Sequence, residues 1–300
     1  MGNKKAFLAL VLICIIWGTT YLFLKIGVDH MEPFFFSGIR QTCAGVLLLL
    51  IMWFLGKFGK ITWRQILMQT VAGLLMITLG NGLVAYAEVS IPSSMAAVIC
   101  ATMPVWVSLI NLLSPGAIRL TGWGYLSVMV GVAGIFWLFS DSIGDFGNKA
   151  YIYGALLTLL ATLAWIAGSY ILRRGGNNNH PFINSGIQMA TGGIGLFAIS
   201  FVLGESHHLS TDSQEWVALI YLTLIGSLVA MAAYSYALKH LPMPIVSVYA
   251  YVNPVVAIIL GWMILGESMT LNMLLACMVI IISIILLNQP FSRKPATAVA

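Results

Sequence analysis

Between Ala6 and Val28 the chain runs 23 residues with a single charge, Lys25, close to the far end. A helix rises 1.5 Å per residue, so this run is long enough to cross a hydrocarbon core of about 30 Å. Apolar stretches of the same kind recur to the end of the sequence, continuous rather than alternating. Inside a bilayer only helices and closed barrels satisfy their backbone polar groups, and the unbroken pattern selects helices. Only 8% of the 300 residues are charged, against about 25% in soluble domains, too few to cover a water-facing surface. The expected fold is an all-α integral membrane protein of ten transmembrane helices. They fall at roughly 6–28, 34–54, 66–87, 92–113, 120–140, 150–172, 181–203, 215–237, 242–264 and 270–288.

Charge placement tests this assignment. With the N-terminus in the cytoplasm, eleven of fourteen basic residues fall on the cytoplasmic side: Lys4, Lys5, Lys57, Lys60, Arg64, Arg119, Arg173, Arg174, Lys239, Arg293 and Lys294. The nine acidic residues, among them Asp29, Glu32, Glu88, Asp141, Asp145 and Glu267, gather on or near the other side. Retention of basic residues inside sets topology, so both termini are expected in the cytoplasm, in a bacterial inner membrane. The first apolar run is too long for a signal core and shows no cleavage site, so it reads as a retained span. The net charge of +5 is used in orientation and calls for no nucleic acid. Cys14, Cys43, Cys100 and Cys277 lie singly inside apolar runs and read as packing residues. The five histidines match no metal spacing, and no cofactor is implied.

The second half repeats the first. At an offset of 148, Trp17 meets Trp165, Lys25 meets Arg173, Pro33 meets Pro181, and Ser37, Gly38, Ile39 and Gly45 meet Ser185, Gly186, Ile187 and Gly193. At an offset of 150, Tyr86, Pro92, Pro104 and Val105 meet Tyr236, Pro242, Pro254 and Val255. Five spans is an odd number, so the second repeat must enter the membrane from the opposite side. Inverted repeats of this kind are a recurrent plan of secondary transporters, with the substrate site near the midplane.

Three segments carry a family resemblance. They are Trp17-Gly18-Thr19-Thr20-Tyr21, the stretch from Gly80-Asn81-Gly82 through Pro92-Ser93-Ser94 to Ala101-Thr102-Met103-Pro104, and Ala250-Tyr251-Val252-Asn253-Pro254-Val255 leading to Leu265-Gly266-Glu267. In these the chain resembles the EamA-type permeases of the drug/metabolite transporter superfamily over about 6–288. The resemblance implies two inverted five-helix EamA-like repeats, 1–141 and 150–288, followed by a cytoplasmic polar tail at 289–300. It also implies a carrier of small metabolites or drugs, often working outward. Glu267 closes the ninth span in the family's Gly-Glu pattern, but its first-half equivalent is Ala117. That departure sets the acid outside any symmetric mechanism.

Candidate site residues follow from depth. Trp17 lies eleven residues into span one, Pro104 twelve into span four, Asn253 eleven into span nine and Trp165 fifteen into span six. Tryptophan favours the membrane interface, so two at mid-depth point to a polar interior. Tyr249 and Asn253, four apart, share a helix face. With Tyr21, Asn81 and Thr102 they complete the expected cavity lining; interhelical hydrogen bonding is the alternative use of such groups. Three charges are candidates for gating or coupling. Lys25 either snorkels to the interface or faces a partner. Arg40, about seven residues inside span two, could pair with Glu88 or bind an anionic group; its second-half equivalent is the uncharged Gln188. Glu88 is the candidate proton carrier. Gly124, Ser127, Gly131 and Gly134, and the pairs Gly38 with Gly45 and Gly186 with Gly193, read as faces of close helix packing. The 204–214 loop is expected to be polar, exposed and mobile.

The leading functional expectation is therefore a secondary-active carrier exporting small molecules, amino-acid-like or amphiphilic aromatic compounds being favoured. Its partners would be the lipid bilayer, the substrate and, as a coupling candidate, protons. Nothing resembles a P-loop, which argues against ATP as the driving force. A facilitative channel or exchanger without ion coupling is the alternative. A membrane-embedded enzyme would need a clustered acid, base or metal site, and the charges are scattered at span ends.

Overall fold

The computed structural model describes residues 2–29, 31–59, 61–113, 122–139, 148–174, 180–209, 211–265 and 270–287. Ala117, Arg119, Asp141, Asp145, Lys60, Gly266, Glu267 and the 289–300 tail with Arg293 and Lys294 lie outside the described residues.

Ten helical rods follow one another among the described residues: α1 Gly2–Gly27, α2 Pro33–Phe54, α3 Trp63–Ala87, α4 Ser93–Ile110, α5 Gly122–Phe139, α6 Lys149–Arg174, α7 Pro181–Leu203, α8 Ser213–His240, α9 Met243–Ile264 and α10 Leu271–Leu287. Eight of them are long and apolar enough to cross a membrane; α5 and α10 are two further apolar helices where the fifth and tenth spans are expected. Their starts are written in the sequence. Pro33 and Pro181 open α2 and α7 at a position where the missing N–H costs nothing. Thr62 and Gln65 form a reciprocal capping box on α3. Gly204, at φ +71°, ends α7 in the left-handed region that glycine tolerates.

Four rods are not regular. Within α3, Leu74–Asn81 is π-helical, and within α8 so is Leu222–Val229. The two segments fall within two residues of repeat-equivalent positions. Each π turn widens the helix and displaces carbonyls from the regular ladder, a feature frequent at functional sites. In α4 the helix breaks between Cys100 and Met103, just before Pro104; in α9 it breaks after Val246, while Pro254 stays inside a helix.

Packing is reciprocal between the halves. α1 lies against α8 and α9, and its equivalent α6 lies against α3 and α4; α2 packs on α7, and α5 on α10. The glycine faces make the closest approaches. A Cβ added at Gly45 would collide with the backbone nitrogen of Ala190, and one at Gly193 with Thr42. On α5, Ser127 Oγ donates to the Ser283 carbonyl of α10 at 2.6 Å, and Gly131 lies under the Tyr251 ring.

The 204–209 segment is exposed as expected, except that Glu205 is half-buried and anchored. Both oxygens of Glu205 accept backbone N–H bonds from the start of α2, from Phe34 at 3.1 Å and Phe35 at 2.8 Å. A carboxylate at a helix N-terminus satisfies donors that lack intrahelical partners and complements the helix dipole. Glu205 thus ties the end of α7 to the beginning of α2.

Candidate functional site

A cavity of about 90 Å³ lies among α1, α2, α3, α4, α6, α8 and α9. Of the seven residues expected to line one, six do: Trp17, Tyr21, Asn81, Trp165, Tyr249 and Asn253. Thr102 does not. It stands in the break of α4, where its hydroxyl donates to the Ile99 carbonyl at 2.7 Å and accepts from Trp106 Nε1 at 3.2 Å. Both bonds are local, and they stabilise the break rather than face the cavity.

Repeat-equivalent residues meet across this space. Trp17 faces Trp165, and the pairs Ile77 with Ser227, Asn81 with Met231 and Met103 with Asn253 all line the cavity. The aromatic wall is compact. Trp17 lies 5.3 Å from Trp165 and 4.7 Å from Tyr249, both edge to face, and 5.0 Å from Tyr234. Such contacts contribute about 0.5–1.5 kcal/mol each beyond simple burial. Trp17 Nε1 donates to the Gly226 carbonyl at 3.2 Å, so the π-helical turn of α8 supplies the acceptor. Trp165 Nε1 has no partner among the described residues. Tyr249 Oη donates to Met103 Sδ at 3.3 Å, joining α9 to α4 in the cavity wall.

The three candidate charges gather at one end. Arg40 is 4% exposed and lines the cavity beside Gln41. Lys25 does not snorkel away: its Nζ donates to the Glu88 backbone carbonyl at 2.5 Å. Glu88 stands just beyond the span Trp63–Ala87 and is fully buried, and neither of its oxygens has a hydrogen-bond partner among the described residues. Burial pushes its carboxyl well above the ordinary carboxylate range, and the charges of Lys25 and Arg40 pull the other way.

The second repeat answers this arrangement with a difference. Arg173, the equivalent of Lys25, donates to the carbonyls of Leu238 at 3.4 Å and Leu241 at 2.7 Å; Leu238 is the equivalent of Glu88. Around it lies a separate cavity of about 370 Å³, lined in part by Leu172, Asn184, Gln188 and Ser235. Leu172 and Gln188 are the equivalents of Leu24 and Arg40, which line the first cavity. Tyr234, packed against Trp17, Trp165 and Tyr249, is fully buried, and its hydroxyl shares a 2.7 Å hydrogen bond with Ser169 Oγ. Beside it Gln188 Nε2 donates to Gln69 Oε1 at 2.5 Å. The first repeat has Val84 where the second has Tyr234, and Val84 lines the central cavity.

Sequence reasoning did not single out Gln41, Ser227, Met231 or Met103. The repeat offset points to the last two, as partners of Asn81 and Asn253. Gln41 and Ser227 carry no comparable signal, because their facing depends on how α2 and α8 are rotated.

A polytopic bundle of apolar helices around a small, aromatic-walled central cavity defines a multi-pass helical membrane protein with an internal site. The comparisons give the particular family. The model of the EamA-like transporter family matches residues 4–140 and 152–289, and the chain belongs to that family. Over 297 residues it is 33% identical to the Escherichia coli K12 protein named "Uncharacterized inner membrane transporter YedA", covering 97% of this chain and 94% of that one. It is 23% identical over 295 residues to the "Uncharacterized transporter YoaV" of Bacillus subtilis strain 168, covering 97% and 99%. A solved crystal structure, 19% identical, superposes with a TM-score of 0.74 over 96% of this chain and 97% of that one; at that identity the likeness shows the fold alone.

Proposed function

We propose that this transporter is a secondary carrier that moves small metabolites or drugs outward by alternating access, with the aromatic-walled cavity as its substrate site. The observation that carries the reading is the set of repeat-equivalent residues, Trp17 with Trp165 and Met103 with Asn253 among them, meeting around one buried space. Ten spans in two inverted repeats, with both termini cytoplasmic, account for the charge sorting and for the reciprocal packing of the halves. In this state the central cavity reaches Leu24, Arg40 and Val84 of the first repeat. At the equivalent end of the second repeat, the cavity around Arg173 is separate from the central one and shares no lining residue with it. Exchanging the conformations of the two repeats closes the first path and opens the second, the behaviour inverted repeats permit.

The cavity is below the roughly 300 Å³ of a common ligand pocket, so a larger substrate requires the helices to part. Aromatic rings with amide groups suit amino-acid-like or amphiphilic aromatic compounds. The outward direction follows from the family resemblance. Glu88 is the proton-coupling candidate, because its buried carboxyl sits beside two cations whose distance can change with a gate.

Counterflow in proteoliposomes tests the reading, using a ligand found by thermal stabilisation of the purified protein with amino acids, nucleosides, sugars and drugs. A carrier loaded with unlabelled ligand accumulates labelled ligand transiently above equilibrium. Monotonic, non-saturating uptake is the behaviour of a channel and contradicts the reading.

A further inference from the structure

Five buried polar side-chain atoms on residues lining the central cavity have no hydrogen-bond partner among the described residues: Arg40 Nε, Gln41 Oε1, Trp165 Nε1, Ser227 Oγ and Asn253 Oδ1. Native structures leave few buried polar atoms unsatisfied. The five around this space are groups that a bound molecule or water can complete. They are also unequal. Four belong to neutral side chains, and one belongs to a guanidinium that is charged at any relevant pH. A buried charge in a membrane protein requires a counter-charge.

The charged groups facing Arg40 do not supply a full one. Glu88, at the end of α3, offers a carboxylate whose two oxygens bond to nothing among the described residues. Lys25, on α1, directs its ammonium to the Glu88 carbonyl instead. Glu88 supplies at most one negative charge against the two positive charges of Lys25 and Arg40, so the cluster keeps at least one positive charge in excess, which a substrate anion offsets.

Building on the reading of this cavity as the substrate site, we propose that Arg40 holds a substrate carboxylate at the first-repeat end of the cavity, with the substrate's apolar body against Trp17, Trp165 and Tyr249. A guanidinium presents donors in a planar fork that matches a carboxylate two bonds at a time. The nearby Gln41 amide offers its oxygen to a donor on the same ligand, which suits carboxylates bearing an amino or hydroxyl group as well as simple ones. The pairing is one-sided. Gln188, the repeat equivalent of Arg40, is neutral, donates to Gln69 and lines the other cavity. The substrate is therefore held in one orientation, its carboxylate toward Arg40.

The test uses matched acids and amides with the same body: benzoate and benzamide, 3-phenylpropanoate and 3-phenylpropanamide, hexanoate and hexanamide, phenylalanine and phenylalaninamide. Each is titrated against thermal unfolding of the purified full chain, which ligand binding raises by mass action. At least one acid is expected to bind about tenfold or more tightly than its amide, the scale of a hydrogen bond to a charged group. Arg40→Gln should bring that acid and its amide to equal affinity, and Arg40→Lys should fall between. Amides binding as tightly as acids, an acid preference that survives Arg40→Gln, or no stabilisation by any acid overturns the proposal. So does an acid preference that arises only in Glu88→Gln, because Glu88 would then be the permanent partner of Arg40. If Arg40→Gln does not fold, the wild-type acid-to-amide ratio decides alone. Equal binding of acids and amides, lost in Trp17→Ala, removes the carboxylate subsite while leaving the cavity as the substrate site. Binding of neither class counts against both.

Discussion

Replacing Trp17 with phenylalanine separates the two things this side chain does. Its ring meets Trp165, Tyr234 and Tyr249 at centroid distances of 5.3, 5.0 and 4.7 Å. Its indole N–H donates to the Gly226 carbonyl at 3.2 Å, inside the π-helical part of α8. Phenylalanine keeps an aromatic ring and removes the donor. A lost hydrogen bond costs about 0.5–1.5 kcal/mol, and about 1–3 kcal/mol where the abandoned acceptor stays buried. Alanine removes the three ring contacts as well, and truncation of a large aromatic costs about 3–5 kcal/mol. Trp17 borders open space, which places Trp17→Ala near the lower end of that range. The assay is reversible denaturant unfolding in mixed micelles, read as a change in midpoint at constant slope. Trp17→Phe should lose about 1–3 kcal/mol, with Trp17→Ala losing more. Trp17→Ala within about 0.5 kcal/mol of the wild type, the range of an inert surface change, would refute the joining of α1 to α8 and α9 through this ring. Equal losses for the two variants would refute the separate contribution of the ring contacts.

At the α2–α7 contact, Gly45→Val should destabilise by about 1–3 kcal/mol or more, because its Cβ meets the backbone of Ala190 and Gly186 rather than a movable side chain; Gly59→Ala, with open space around it, is the control in the same unfolding assay. For Glu88, burial holds the folded-state carboxyl above its unfolded value, so stability is greatest below the ordinary glutamate pKa of about 4.3 and falls as pH rises toward the raised value. Glu88→Gln should flatten that slope in pH-resolved thermal unfolding, and an unchanged slope removes Glu88 as its source. The same variant should lose gradient-driven uptake in proteoliposomes if protons are coupled through this group. Reporter fusions at Met1 and Ala300 should both read cytoplasmic; opposite readings would mean an odd number of spans.

Much of this architecture is legible in the sequence because lipid imposes a one-dimensional rule. A helix must be apolar over the thickness of the bilayer, so the expected ends of spans such as 34–54 and 181–203 agree with Pro33–Phe54 and Pro181–Leu203. Depth is equally legible, and it brought Trp17, Trp165 and Asn253 to one level. Facing is not. Thr102 is close in depth to Asn253, but it sits in a helix break and spends its hydroxyl locally. The π-helical turns of α3 and α8 have no proline to announce them, because they arise from the packing of the bundle. The cap that Glu205 places on α2 joins residues about 170 positions apart, 171 for Phe34, a separation at which local patterns carry no information. The repeat offset reaches furthest: applied to Asn81 and Asn253, it leads to Met231 and Met103 on the opposite wall.

The central claim is that one cavity between the repeats is reached in turn from both sides of the membrane. Asn253→Cys, after replacement of Cys14, Cys43, Cys100 and Cys277, places a single thiol in that cavity. Its labelling by a membrane-impermeant maleimide is measured in right-side-out and inside-out vesicles. Alternating access predicts labelling from both faces, with a bound ligand slowing both rates. Labelling from one face only, or only by a lipid-soluble maleimide, would contradict the claim.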